Sequence, residues 1–204
     1  MWHIYNRGVD KRLIFLDERD YTVFLSYIKC ALSPEIDSEL KNEALDSMTL
    51  NRIRRLRLYD ELKLVSYCLM PNHFHLQLYQ ISADGISKFM RSVMTGYVTY
   101  FNHRYDRSGR LFQGVYKGSL ITTDSYFQHL SRYIHLNAVD VVSNYKVYDF
   151  SSFKYFTDKV SVPSWLAPDL ALCDMTAPKY EAYCDDYLTT RNALKETEAH
   201  FADH

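Results

Sequence analysis

The sequence lacks the features of an exported, membrane-bound or disulfide-rich protein. No apolar run approaches the ~18 residues that a membrane span requires. The segment MWHIYNRGVDKR at the amino terminus is not a basic stretch followed by an apolar one, so no secretory signal is expected. The four cysteines are scattered without a CxxC pair, which favours reduced thiols over disulfides or zinc. We therefore expect a cytoplasmic protein with no membrane partner.

The sequence also lacks a large net charge, since its 204 residues carry a net charge of −1. The distribution is uneven, because residues 1–140 hold 18 Lys and Arg against 15 Asp and Glu, and residues 141–204 hold 6 against 10. Within residues 85–140 the ratio is 7 to 3. The net charge argues against a protein that coats nucleic acid non-specifically, whereas the local basic excess permits a phosphate-binding face without requiring one.

Hydrophobic periodicity predicts an α+β fold. The predicted elements are a strand at 2–9, a helix at 17–32, strands at 62–70 and 73–79, a helix at 84–106, a strand at 115–121 and a helix at 124–140. The order β-α-β-β-α-β, followed by a helix, indicates a ferredoxin-like sandwich. We expect a domain over residues 1–142 with a helical insertion at about 35–58, and an irregular arm with short helices over 143–204.

Two histidines lie one residue apart in the stretch LMPNHFHLQLY. Side chains alternate along a strand, so His73 and His75 project from the same face, ~6.5–7 Å apart along the backbone. This separation allows both imidazoles to bind one metal ion. A histidine at a sheet edge can equally be a satisfied polar group, and the triplet alone leaves both interpretations open.

The helix at 124–140 carries a polar stripe of Tyr126, His129, Tyr133 and Asn137. Spacings of three and four residues place these side chains on one helical face. Polar groups are costly to bury without partners, so this face is expected at the rim of a site. Tyr133 is a candidate nucleophile, and Asn137 a candidate third metal ligand through its carbonyl oxygen.

These residues suit attack on a phosphodiester. A phenol with a pKa of ~10 requires loss of its proton or activation of its electrophile. A divalent cation can polarise a phosphate and neutralise the charge that develops. The motifs MPNHFHL, GRLFQGVYKG and LSRYIHLNAV, in this order, resemble those of REP-associated tyrosine transposases, which are HUH transposases with a single tyrosine. The resemblance extends from NRG at 6–8 and IFLDERDY at 14–21 to FSSFKYF and PSWL near the carboxyl terminus.

The resemblance implies a catalytic Tyr133 and a metal site of His73, His75 and Asn137 that holds Mg²⁺ or Mn²⁺. The implied activity is the cutting and rejoining of single-stranded DNA through a 5′-phosphotyrosine intermediate. The implied partner is a hairpin from a palindromic repeat, bound by a monomer or a homodimer. Two positions depart from the family pattern: Val115 stands where a second basic residue is expected, and Ala138 stands where proline is usual.

Four further residues are expected to contact DNA in this arrangement: Asn6, Arg7, Arg110 and Lys117. His129 is a candidate proton relay or a group that supports the site from behind. His135 is expected to make a structural hydrogen bond. Tyr116 and Tyr126 are rival nucleophiles, disfavoured because neither has a ligand-type residue four positions later.

Two other functions fit the same residues. A domesticated relative would bind hairpin DNA without turnover. A metal hydrolase for a small substrate would use Tyr133 only as a hydrogen-bond donor, and its weakness is the absence of a carboxylate beside the histidines in sequence.

Overall fold

A four-stranded antiparallel sheet organises the protein in the computed structural model, which describes residues 1–34, 49, 56 and 58–202, without side-chain detail at 124–125 and 191–202. The strands are β1 (Trp2–Arg7), β2 (Leu62–Met70), β3 (His73–Gln80) and β4 (Lys117–Leu120). They lie side by side in the order β2-β3-β1-β4. The predicted ferredoxin-like α+β sandwich is confirmed by this order and by the alternation of strands and helices.

Two helices cover one face of the sheet, α1 (Glu18–Leu32) and α2 (Gly85–Arg104). The Asp17 carboxylate accepts a hydrogen bond from the Asp20 amide at 3.2 Å and so caps the start of α1. Gly96 lets the helices approach closely, because a Cβ at this position would clash with the Tyr27 ring. The core on this side includes Phe74, Leu76 and Leu78 of β3.

The opposite face is covered by α3 (Asp124–Leu136), which continues as a 3-10 turn over Asn137–Asp140. Because side chains alternate along β3, His73, His75 and Gln77 point to this side. The amide of Gln77 donates to the main-chain oxygen of Phe127 at 3.0 Å and accepts from Ser66 at 2.8 Å. This buried bridge fixes α3 over the sheet.

The carboxyl-terminal arm differs from the predicted irregular arm with short helices, because it also contains a long helix. After the short helices α4 (Phe153–Phe156) and α5 (Asp169–Leu172), the chain forms the 26-residue helix α6 (Ala177–Ala202). Pro178 does not interrupt this helix. It lies in the first turn of α6, where the missing amide proton of a proline has no helical partner to lose.

The arm shares a core with the sheet and α3. Phe153, Phe156 and Tyr180 are buried together with Val65 of β2 and Ile134 of α3. The predicted insertion at 35–58, with its basic run of Arg52, Arg54, Arg55 and Arg57, lies outside the described residues apart from 49, 56 and 58. In the part of the chain that the structure describes, no helix has the length and apolar character needed to cross a membrane.

Candidate active site

A polar cleft of about 570 Å³ opens where β1 ends, β3 and β4 begin, and α3 ends. The antiparallel register places Tyr5 opposite His75 and Arg7 opposite His73. Residues that are distant in sequence therefore lie close together at one end of the sheet. The cleft is lined by Tyr5, Asn6, Arg7, His73, His75, Gln113, Gly114, Val115, Lys117, Tyr133, Asn137 and Asp140. Seven of the nine predicted site residues therefore share one cavity, and the predicted nucleophile Tyr133 is among them.

The imidazoles of His73 and His75 lie next to each other, with ring centroids 5.0 Å apart and planes at 88°. Each ring uses Nδ1 for a hydrogen bond within the protein. Nδ1 of His73 lies 2.6 Å from Oδ1 of Asn72, and Nδ1 of His75 lies 2.9 Å from Nε2 of His3. An amide oxygen only accepts, so Nδ1 of His73 carries the proton and its Nε2 keeps a lone pair.

Both histidines are neutral near pH 7. Burial lowers the pKa of His73 to about 4, assisted by the positive charge of Arg7 and opposed by Asp140. Burial also holds the pKa of His75 well below its ordinary value, and His3, His73 and Arg7 act in the same direction. A neutral imidazole has the lone pair that a metal ion requires.

Asn137 lines the cleft, and its side-chain amide nitrogen is held by the end of α3. Its Nδ2 donates to the main-chain oxygens of Tyr133 at 2.8 Å and Ile134 at 3.4 Å. Because the amide nitrogen is held against the helix, Oδ1 is the atom left to accept or to bind a cation. This geometry agrees with the predicted use of the carbonyl oxygen as a ligand.

Tyr133 lies half-buried at the wall of the cleft, with its ring edge towards His75 at a centroid distance of 5.9 Å. The rival tyrosines lie elsewhere. Tyr126 is 52% exposed beside a different cavity, and the Tyr116 hydroxyl lies 3.4 Å from Ser87. Tyr5 lines the cleft as well and stacks on His75 at 5.9 Å, so it is the rival that sequence reasoning did not consider.

The predicted DNA contacts divide between two neighbouring clefts. Arg7 and Lys117 line the histidine cleft, whereas Arg110 lines an adjoining cleft that shares Gly114 and Val115 with it. Asn6 is 5% exposed and uses its amide within the protein, since Nδ2 donates to Gly114 and Oδ1 accepts from the Arg7 amide. Asn6 therefore shapes the loop at the mouth of the cleft.

His129 and His135 lie away from the cleft. Nδ1 of His129 accepts from the Arg132 guanidinium at 2.8 and 3.0 Å, and the ring borders a second cavity behind Tyr133. His135 is fully buried between the Tyr180 and Ser152 hydroxyls, each at 2.7 Å. The expected structural hydrogen bond of His135 is confirmed.

Two residues of this region were not foreseen from the sequence. Asp140 lines the cleft, so a carboxylate does lie near the histidines in space although none does in sequence. His3 contacts His75 because β1 and β3 are adjacent, a pairing that no local pattern reveals. The sequence does contain a signal for Asp140, since it follows Asn137 by three residues and helical spacing places the two on one face. Over the described residues, no three His, Cys, Asp or Glu side chains form a group that could hold a metal ion.

Comparison with known proteins assigns a family and supports the fold. The family model for IS200-like transposases matches residues 22–137, which is more than half of the chain. A solved structure of a REP-associated tyrosine transposase bound to a REP hairpin aligns with a TM-score of 0.53 and 16% sequence identity, covering 83% of this chain and 86% of that one. At this identity the alignment supports the fold alone. No curated protein matches the chain.

Proposed function

Because the chain belongs to the family of IS200-like transposases, we propose that it cuts and rejoins single-stranded DNA through a covalent bond to Tyr133. The observation that carries this proposal is the shared cleft: Tyr133, two neutral histidines and Asn137 line one cavity, together with the cationic Arg7 and Lys117. A nucleophile, a ligand set and cationic side chains are the parts that phosphoryl transfer requires.

The donor atoms fit a divalent cation. His73 and His75 offer imidazole nitrogens and Asn137 offers an amide oxygen, a set that Mn²⁺ accepts and that Mg²⁺, which prefers oxygen, accepts less readily. Three protein ligands leave coordination positions for phosphate oxygens and water. When bound, the ion would polarise the scissile phosphate and neutralise charge in the transition state.

Tyr133 is the nucleophile in this proposal. Its phenol oxygen bonds to phosphorus and loses its proton, while the bond from phosphorus to the 3′ oxygen breaks and that oxygen takes up a proton. The product is a 5′-phosphotyrosine and a free 3′-OH. One phosphodiester replaces another, so the reverse attack by a 3′-OH rejoins DNA without an external energy source. Arg7 and Lys117 hold the backbone phosphates that flank the reacting one.

The proposed substrate is a DNA hairpin with single-stranded flanks from a palindromic repeat. The structurally similar transposase was solved with a REP hairpin. A net charge of −1 supplies little general attraction for DNA, so recognition rests on hairpin shape and on contacts with bases. One chain brings its own Tyr133 beside its own histidines, which supports action as a monomer.

The test is covalent capture on a denaturing gel. Wild-type protein is incubated with labelled hairpin DNA and Mn²⁺, Mg²⁺ or EDTA, beside the variants Tyr133→Phe and Tyr5→Phe. We expect a metal-dependent band that persists in Tyr5→Phe and disappears in Tyr133→Phe. Hairpin binding without any covalent band under either ion would favour the binding protein without turnover. Cleavage of small phosphoesters without a protein–DNA band would favour the hydrolase, for which Asp140 supplies the carboxylate.

A further inference from the structure

His3 lies directly behind the proposed metal ligand His75. Its Nε2 is 2.9 Å from Nδ1 of His75, and the two rings stack with centroids 5.1 Å apart and planes at 23°. In the antiparallel pair of β1 and β3, His3 lies opposite Gln77 and is therefore the diagonal neighbour of His75 on the same face.

The His3 ring is held on three sides. Besides the stack on His75, its centroid lies 5.0 Å from that of Tyr5 and 5.9 Å from that of Tyr133, which meets it edge-on at 80°. His3 borders the second cavity behind Tyr133 and does not line the cleft of the histidine pair. It is therefore placed to act on His75 without binding an ion in the cleft.

A hydrogen bond between two imidazole nitrogens has one donor and one acceptor. If Nδ1 of His75 donates, its Nε2 retains the lone pair and can bind a cation. If Nε2 of His3 donates instead, a neutral His75 carries its proton on Nε2 and cannot bind the cation there. The direction of this one hydrogen bond thus decides whether His75 is a ligand. His73 shows the ligand-competent arrangement already, because its Nδ1 faces the Asn72 amide oxygen.

We infer that His3 is a positioning residue whose Nε2 accepts a hydrogen bond from Nδ1–H of His75, holding His75 in the tautomer and ring orientation that bind a divalent cation. The inference rests on the proposed function, since it takes His75 as a metal ligand. Partners of this kind behind a ligating histidine fix its tautomer and raise its basicity, and their loss weakens metal binding about 10- to 100-fold.

The substitutions separate the hydrogen bond from the space that His3 fills. His3→Gln places an amide oxygen near the position of Nε2 and keeps an acceptor, whereas His3→Phe keeps a ring without an acceptor. His129→Phe is the matched control, because His129 borders the same cavity but bonds to Arg132. Mn²⁺ affinity of the full chain, without DNA, is measured by calorimetry. We expect His3→Phe to weaken binding about 10- to 100-fold, with His3→Gln and His129→Phe close to wild type.

A second measurement does not depend on the variants or on metal. Nitrogen-15 NMR of labelled histidines in the metal-free wild type reports which ring nitrogen of His75 carries the proton. A proton on Nδ1 supports the inference, and a proton on Nε2 overturns it. Equal loss of Mn²⁺ affinity in His3→Phe and His3→Gln would also overturn it, since only the shape of His3 would then matter. If wild type binds no Mn²⁺, the metal part of the proposed function fails, and the NMR result alone decides the role of His3.

Discussion

The amide nitrogen of Asn137 donates to the main-chain oxygen of Tyr133 at 2.8 Å, so the proposed ligand and the proposed nucleophile are joined through the end of one helix. The hydrogen bond occupies the amide nitrogen of Asn137 and leaves its carbonyl oxygen available as a ligand. It also satisfies a carbonyl that the end of α3 would leave without a helical partner. Both residues therefore depend on how α3 ends.

Substitution of Asn137 separates these two roles. Asn137→Leu removes the oxygen ligand, and we expect Mn²⁺ affinity to fall by about tenfold or more. Asn137→Asp keeps an oxygen ligand but loses the donor, so Mn²⁺ affinity should persist while covalent capture of DNA declines. Calorimetry and the gel assay measure the two effects. Asn144→Leu is the control, because Asn144 caps the turn at Tyr145–Val147 away from the cleft. Equal Mn²⁺ affinity in Asn137→Leu and wild type would remove Asn137 from the ligand set.

The cleft cations set the salt dependence of DNA binding. Each phosphate contact that is lost lowers the slope of log K against log salt by about 0.7 for single-stranded DNA. We expect Arg7→Gln and Lys117→Gln each to weaken hairpin binding and to reduce this slope by about that amount. The exposed Lys179 of α6 is the control, and Lys179→Gln should match wild type. Anisotropy of a labelled hairpin over a KCl series measures the slope, and an unchanged slope in both cleft variants would place the strand elsewhere.

Burial of His135 makes stability depend on pH. Burial lowers its pKa to about 3 in the folded state, against about 6.5 in the unfolded chain. The unfolded chain therefore takes up a proton first, so stability is complete above about pH 6.5 and falls as the pH decreases towards 3, by up to about 1.4 kcal/mol per pH unit.

His135→Phe tests this account. Without the imidazole, the Tyr180 and Ser152 hydroxyls each lose one hydrogen-bond partner, and we expect the free energy of unfolding near neutral pH to fall by about 1–3 kcal/mol. The variant should nevertheless lose stability less steeply than wild type on acidification. Urea unfolding of both proteins over a pH series measures the two slopes, and parallel slopes would assign the acid sensitivity to other groups.

Arg132 fastens α3 to the carboxyl-terminal helix. Its guanidinium lies 3.8 Å from the Tyr183 ring centroid and 4.4 Å from that of Tyr187. Arg132→Lys replaces a planar stacking group with a compact ammonium, and we expect a loss of about 1 kcal/mol of unfolding free energy. Tyr183→Phe keeps the ring face and is the control, with stability close to wild type in urea. A larger loss in the control than in Arg132→Lys would contradict the stacking account.

The sequence was informative where local patterns decide structure. The bounds of β2 agree with the predicted 62–70, and α1 at Glu18–Leu32 agrees with the predicted 17–32 to within one residue, because periodicity is a local property. The predicted helix at 124–140 ends at Leu136 and tightens into a 3-10 turn, a change that leaves Asn137 and Asp140 facing the cleft. The residue at which a helix ends depends on tertiary contacts, which hydrophobic periodicity does not predict.

What the sequence did not reveal depends on contacts between distant segments. His3 reaches His75 only through the register of β1 against β3, and Arg110 lies in the adjoining cleft because of the path of the loop before β4. The length of α6 was not predicted, although a proline such as Pro178 in a first helical turn is compatible with the helix that follows.

The most direct test of the central claim is to locate the covalent bond by mass spectrometry. Wild-type protein is trapped with hairpin DNA and Mn²⁺, then treated with nuclease and trypsin, which cleaves after Arg132 and leaves Tyr133 at the start of its peptide. We expect a residual nucleotide phosphate on Tyr133, joined through the 5′ phosphate of the downstream strand. A nucleotide on Tyr5 or Tyr126 instead, or adducts that carry the upstream strand, would contradict the proposed mechanism.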